Sequence, residues 1–322
     1  MSEISRRRVR VLVTGGAGFI GGHTSSRLVK EGHEVVVLDN MSTGREENLS
    51  DVTGRGSLEL IKGDIRDNGL VEKVAQDIDA IVHLAAIISV PYSVAHPAET
   101  NDVNVNGTLN LLMAAQHAEV SKFIYTSTCA VYGEAEYLPI DEKHPKAPAS
   151  PYAASKLCSE IYCETFHRAH GLNTTILRPF NIYGPRQERN PYAGVIVRFR
   201  EQLANNRTLT IFGDGKQTRD FVHVFDVVEA ICKCLGSDNA RGQVLNIGSG
   251  RSISVESLAK LMSNLVGVDV SPKFCAPRLG DILHSQADIR KAKSLLGYEP
   301  KINIEEGLRM LVTPEGARAE RS

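Results

Sequence analysis

Three glycines, Gly15, Gly18 and Gly21, follow directly on the short apolar run at residues 9–13. No other feature leaves the chain so few choices. A β-branched run that enters a loop with glycine at every third position predicts a strand, a tight turn and a helix packed closely on that strand. The sequence places the helix over residues 23–31, with Phe19 and Ile20 in the loop and the free N–H groups of the helix end aimed at a phosphate. A second strand at residues 35–38 runs into Asp39, 18 residues beyond Gly21. A carboxylate there accepts hydrogen bonds from both hydroxyls of an adenosine ribose and repels a 2′-phosphate. That pattern favours NAD over NADP, with Arg45 as the nearby residue that argues the other way. The alternative reading of Asp39 is a plain cap on a βα loop.

Strand and helix signals continue to alternate. Residues 58–61 precede Gly63-Asp64-Ile65, where Asp64 can reach an adenine amino group while Ile65 covers the ring. Residues 80–84 form a buried strand ending at Leu84 that leaves through Ala85-Ala86-Ile87, where small residues let a nicotinamide half lie against the backbone. His83 in that strand reads as a satisfied core histidine rather than a base. A helix starts near Asn104, and residues 122–126 form the next strand, ending at Ser127-Thr128. Alternation of this kind implies an α/β fold: a Rossmann-type doubly wound parallel sheet with its ligands beyond the carboxyl ends of the strands. The expected division is a dinucleotide-binding domain at 1–180, a smaller α/β substrate-binding domain at 181–314 with some chain returning to the sheet, and a tail at 315–322.

Ser150-Pro151-Tyr152-Ala153-Ala154-Ser155-Lys156 carries the chemistry. Proline suits the first turn of a helix and Ser150 can cap it. Tyr152 and Lys156, four apart, then share one face. Bringing a free phenol from about 10 to about 7 takes roughly 4 kcal/mol of differential stabilisation of the phenolate. A fixed ammonium and a cationic cofactor ring are suited to supply it.

Taken together, these motifs resemble the extended short-chain dehydrogenase/reductases of the nucleotide-sugar epimerase and dehydratase family. The resemblance rests on the Gly15/Gly18/Gly21 loop, Asp39, Asp64-Ile65, His83 to Ala86, Asn104, Ser127-Thr128, Tyr152/Lys156 and Arg178-Pro179-Phe180-Asn181-Ile182-Tyr183-Gly184-Pro185, so it covers nearly the whole chain. It implies an NAD enzyme in which Tyr152 is the base on a sugar 4-hydroxyl, Lys156 holds the nicotinamide ribose, and Thr128 hydrogen-bonds O4. It also assigns Asn40 and Asn104 to the cofactor. Where related 4,6-dehydratases carry an Asp-Glu pair and related uronate decarboxylases a Glu, this chain has Cys129-Ala130. Dehydration needs an acid and a base that these residues lack, whereas a 4-epimerase needs neither.

The implied reaction is therefore 4-epimerisation of a UDP-hexose through a transient 4-keto sugar. UDP-glucuronate 4-epimerisation or another nucleotide-sugar modification is the alternative, and a non-catalytic NAD-binding regulator a remote one. By the same resemblance Asn181, Arg219 and Arg278 bind the diphosphate, Val195 cradles the nucleotide through its backbone, Asp281 contacts the nucleotide ribose, and Phe212 to Gly215 lie at the base. Ser285, the fourth residue after Asp281, faces the sugar's C2 substituent. Its small size leaves room for an N-acetyl group, so UDP-GlcNAc and UDP-GalNAc join UDP-glucose and UDP-galactose as expected substrates. Ser285 reads equally well as a helix cap ahead of Asp288. A homodimer through helices near 104–117 and 152–169 is the family expectation.

Composition narrows the partners. With 42 % hydrophobic and 23 % charged residues and a net charge of −1, the 322-residue chain has no general attraction for nucleic acid or an anionic membrane. Arg6-Arg7-Arg8 reads as the approach to the first strand. Six scattered cysteines without metal spacing read as reduced thiols, and neither a signal-peptide core nor a membrane-length run is present, so a cytoplasmic enzyme without a metal is expected.

Overall fold

The computed structural model describes residues 8–187, 194–268, 271–277 and 282–312. The elements of the first half, in order, are β1 (Arg10–Thr14), α1 (Phe19–Lys30), β2 (Glu34–Asp39), β3 (Leu58–Lys62), α2 (Asn68–Val74), β4 (Ala80–His83), α3 (Val90–Ala95), α4 (Pro97–Asn101), α5 (Gly107–His117), β5 (Lys122–Thr126), α6 (Pro151–His170) and β6 (Thr174–Pro179). The second half adds β7 (Asn181–Tyr183), α7 (Val195–Ala204), β8 (Thr210–Phe212), β9 (Thr218–Arg219), β10 (Phe221–His223), α8 (Val224–Leu235), β11 (Val244–Ile247), β12 (Ile253–Ser254), α9 (Val255–Val266), β13 (Lys273–Cys275), α10 (Arg290–Leu296) and α11 (Ile304–Val312).

Among the described residues, seven parallel strands pair in the order β11-β6-β5-β4-β1-β2-β3. The order reverses between β1 and β4, which opens a crevice at their carboxyl ends. Alternate strand residues feed two cores. Val11, Val13, Val35, Val37 and Ile124 pack with α1, α8 and α10 on one face, while Leu12, Val36, Leu38, Phe123 and Tyr125 pack with α2, α5 and α6 on the other. Burial on both faces explains why these strands read as unbroken apolar runs. A third, smaller core around Phe199, Ile211, Leu258 and Met262 belongs to the second half.

Residues 224–247 return to the main sheet, with β11 on its edge and α8 in its core. Lys122, on β5, fixes that return: its buried ammonium donates to the carbonyls of Cys234, Leu235 and Ser237 at 3.1, 3.0 and 2.9 Å. These carbonyls lie at and just beyond the end of α8, where helical partners run out, although the Cys234 oxygen also accepts from the Ser237 nitrogen. Lys122→Met should destabilise the protein by about 3 kcal/mol, since buried acceptors are then left unmet. Urea denaturation checks it.

The glycine loop differs from expectation in where its helix begins. α1 starts at Phe19, immediately after Gly18, so Gly21 and Gly22 sit in its first turn rather than before it. Contact is the cause: a Cβ on Gly21 would lie 2.0 Å from the carbonyl oxygen of Gly15.

Candidate active site

At the mouth of the crevice, Gly15 takes a left-handed φ of +68°, and a Cβ there would stand 2.7 Å from the backbone nitrogen of Ala85. The loop thus reaches across from β1 to the end of β4. Gly18 caps α1 without any side-chain hydrogen bond, so the N–H groups of Phe19, Ile20 and Gly21 keep the free valences of a helix start. This is a cradle shaped for a pyrophosphate.

Asp39 ends β2 buried, and its carboxylate accepts from the backbone nitrogens of Ala17 at 3.0 Å and Met41 at 2.9 Å. Asn40 is exposed and donates to Asp64 at 3.1 Å. Arg66 grips both oxygens of Asp64, at 2.9 and 2.8 Å, and holds its carboxyl well below the usual range. Ile65 is only 4 % exposed, with its side chain packed in the core against Gly107. Asn104 is buried in a wide π-helical turn at Asp102–Asn106. Its amide donates to the Ile87 carbonyl (3.0 Å) and Ser155 (2.9 Å) and accepts from the Ile87 nitrogen (2.8 Å). That wiring makes Asn104 a brace between the Leu84-Ala85-Ala86 strand end and the helix of Tyr152.

His83 is the core histidine expected. Thr108 gives its proton to the Asn104 carbonyl (2.5 Å), so it must accept from His83 Nε2–H (2.9 Å), and His83 Nδ1 then accepts from Thr14 (2.7 Å). Burial drives its pKa far down, which keeps it neutral.

On α6 the serine cap and proline behave as the sequence indicated: Ser150 accepts from the Ala153 nitrogen at 3.2 Å and Pro151 opens the helix. Tyr152 is half-buried and Lys156 is 3 % exposed. The Lys156 ammonium lies 4.5 Å from the centre of the Tyr125 ring and forms no hydrogen bond among the described residues. The expected lowering of the tyrosine pKa is not produced by the protein's own groups. Burial pushes the phenol up to about 12, with the Thr128 hydroxyl pulling the other way, and burial draws Lys156 down to about 7 against the opposing effects of Cys163 and Glu160.

Thr128 extends from the end of β5 and also accepts from the Ala130 nitrogen at 3.2 Å. Cys129 is held as a neutral thiol, its pKa pushed by burial to about 12, and Ala130 carries no functional group. Behind them lies a network the sequence did not announce. Ser127 hydrogen-bonds to Glu160, which Arg178 grips at 2.9 and 2.6 Å, and Arg178 also donates to Tyr132 at 2.9 Å.

Across the crevice, Asn181, Val195, Arg219, Phe212 and Gln187 line a cleft of about 310 Å³. Gly194 caps α7 without a side-chain hydrogen bond, which leaves the first N–H groups of that helix, from Val195 on, turned to the cleft end. Gln187 carries a buried Oε1 with no partner among the described residues. Asp220, 0 % exposed, was also missed: its carboxylate accepts from Ser249, Gly250 and Ala287 and so anchors the turn that leads from Ser285. Ser285 is buried, its backbone nitrogen donating to the Thr218 carbonyl at 3.1 Å. It caps no helix, because α10 begins at Arg290 behind Ile289. Arg278 and Asp281, and the tail at 315–322, lie outside the described residues.

A dinucleotide fits this arrangement on two counts: the glycine loop, tight enough that a Cβ on Gly15 or Gly21 would strike backbone, which opens α1 with free N–H groups, and the buried Lys156 ammonium without a hydrogen bond among the described residues. The profile of the NAD dependent epimerase/dehydratase family matches residues 11–248. The UDP-glucose 4-epimerase of Mycolicibacterium smegmatis is 42 % identical over 302 residues, 93 % of this chain and 96 % of the relative. Among solved structures, the UDP-N-acetylglucosamine 4-epimerase from Methanobrevibacter ruminantium M1, in complex with UDP-N-acetylmuramic acid, superposes with a TM-score of 0.92 at 37 % identity, covering 98 % of this chain and 99 % of that one. The UDP-glucose 4-epimerase of Thermotoga maritima with UDP-glucose gives 0.90 at 39 % identity over 97 % and 100 %. With the cradle, the Tyr-Lys helix and these likenesses all spanning the same chain, the protein belongs to the NAD dependent epimerase/dehydratase family.

Proposed function

We propose that this protein is an NAD-dependent 4-epimerase of UDP-hexoses. The observation that carries the reading is the set Thr128, Tyr152 and Lys156 flanked by a neutral Cys129 thiol and Ala130. That set can move a proton at O4 and offers no carboxylate for chemistry at C5 or C6. The cradle at Gly15, Gly18, Phe19, Ile20 and Gly21, with Asp39 and Lys156, would hold the NAD, whose bound nicotinamide supplies the hydride acceptor and donor.

Tyr152 takes the proton of the 4-hydroxyl, and Thr128, hydrogen-bonded beside it, steadies the oxygen and shares the proton. Because burial disfavours the free phenolate, the charge that readies Tyr152 must come from Lys156 together with the ligands of the site. Asn181 and Arg219 hold the diphosphate, the backbone at Val195 cradles the nucleotide, and Phe212 lies at the base. The 4-keto sugar then turns over in the site and receives hydrogen on its opposite face. Incubation with a panel of UDP-sugars, UDP-glucuronate included, and no added reductant tests the reading by NMR. Interconversion of a 4-epimer pair supports it, and a dehydrated or decarboxylated product overturns it.

Ser285 is small and buried and caps no helix, which supports its facing the C2 substituent. Ser285→Tyr should lower turnover of UDP-GlcNAc more than about tenfold, by steric exclusion, and spare UDP-glucose. Equal effects on the two substrates would refute it. A homodimer is part of the proposal: α6 exposes Ile161 at 56 % and Tyr162 at 38 %, and Val94 of α3 is 63 % exposed. A cytoplasmic setting suits six cysteines that are all free thiols, and no described helix is long and apolar enough to cross a membrane.

A further inference from the structure

We propose that Gly44 is a specificity-determining residue for the dinucleotide, its missing side chain keeping the Asp39 carboxylate where it can hold a ribose diol. The proposal rests on the reading of this protein as an NAD enzyme and adds the residue that makes Asp39 effective.

Asp39 alone does not define a diol site, because a carboxylate can rotate away. Here it has little freedom. A Cβ built on Gly44 would stand 2.7 Å from Asp39 Oδ1, 2.8 Å from Oδ2 and 2.9 Å from Cγ. All three atoms of the group are touched, so turning the carboxylate about its own axis relieves nothing and the whole group would have to shift. A shift would also break its bonds to the nitrogens of Ala17 and Met41.

Nor can the loop at 40–45 simply lift off. The Arg45 nitrogen donates to the Ala17 carbonyl at 3.0 Å, and Asn48 donates to the same oxygen at 2.8 Å. Ala17 lies between Gly15 and Gly18, so the loop that covers Asp39 is fastened to the phosphate cradle itself. Gly44 is not among the glycines with positive φ, so alanine there meets no left-handed backbone, and the three atoms nearest to the added Cβ all belong to the Asp39 carboxylate.

The consequence is a cofactor effect with little effect on chemistry. In Gly44→Ala the concentration of added NAD that gives half-maximal activity should rise at least about tenfold, the worth of one charge-assisted hydrogen bond, while kcat at saturating NAD stays within about twofold. NADP should gain relative to NAD, because the repelling carboxylate is displaced. In an Asp39→Ser background the same glycine substitution should add nothing. An unchanged NAD requirement in Gly44→Ala overturns the proposal. So does a further loss, or failure to fold, of Asp39→Ser/Gly44→Ala relative to Asp39→Ser, since the methyl is then striking something other than the carboxylate. If Gly44→Ala alone does not fold, the double variant decides by the same comparison. A parent protein that neither carries nor responds to NAD would instead refute the enzyme reading itself.

Discussion

Tyr152→Phe will fold, keep its affinity for nucleotide and lose on the order of 10³ in kcat, the usual worth of a positioned acid–base group. The substitution removes one oxygen from the first turn of α6 and leaves the Ser150 cap, Pro151 and the apolar body of the ring in place. Its expected signature is a fall in kcat with KM for the UDP-sugar nearly constant, since an interaction made mainly in the transition state has been lost. The phenol is the one group of the set able to give up a proton and take it back. Thr128 is a hydroxyl without a base of its own, Cys129 is a thiol raised to about 12, and His83 is locked neutral in the core. Epimerisation in Tyr152→Phe at more than about a tenth of the parent rate would mean that another group moves the proton at O4, and would remove Tyr152 from the centre of the mechanism.

How much of this could be read from the chain depends on the distance over which each feature is coded. Gly15, Gly18 and Gly21 announce a cradle because their spacing is local, and for Gly18 and Gly21 the contact that requires glycine, with the Gly15 carbonyl, is local as well. Tyr152 and Lys156 announce a shared face because helical spacing alone brings them together. Asn104 was assigned to the cofactor by the family resemblance, and its partners Ile87 and Ser155 come from a strand end and from α6, so its bracing role became visible only in three dimensions. Ile65 has an apolar side chain that suits an adenine or a core equally well, and its packing into the core was not legible from its neighbours in the chain.

The low phenol pKa was expected from Lys156 and a cationic cofactor ring acting together, and the protein's own groups do not supply it by themselves. Spacing counts charges and neglects desolvation, and in this site burial outweighs what the protein's own charges offer to the phenolate. Gly44 had no local signal, since its importance lies in the absence of atoms beside Asp39.

Arg178→Met should be the most destabilising single change of side chain near the site, costing about 3–5 kcal/mol. Arg178 and Glu160 have side chains 2 % exposed each, and the guanidinium binds both carboxylate oxygens. Without it, Glu160 remains a buried charge with Ser127 as its only other hydrogen-bond partner among the described residues. Tyr132, which donates to Asn246 at 2.6 Å, loses its own donor at the same time. Retaining a charge in a dry interior after its partner has gone is worse than having neither, so Glu160→Gln combined with Arg178→Met should recover a large part of the loss. That recovery separates a charge effect from simple loss of packing, which the second substitution would only worsen.

The site should feel the change as well. Glu160 lies one turn beyond Lys156, and Ser127 is the neighbour of Thr128, so the pair joins the helix of the acid–base residues to the strand end opposite them. Urea denaturation of parent, single and double variants tests the claim. A single variant within about 1 kcal/mol of the parent, or a double variant less stable than the single, would mean that Glu160 and Arg178 do not act as a buried pair.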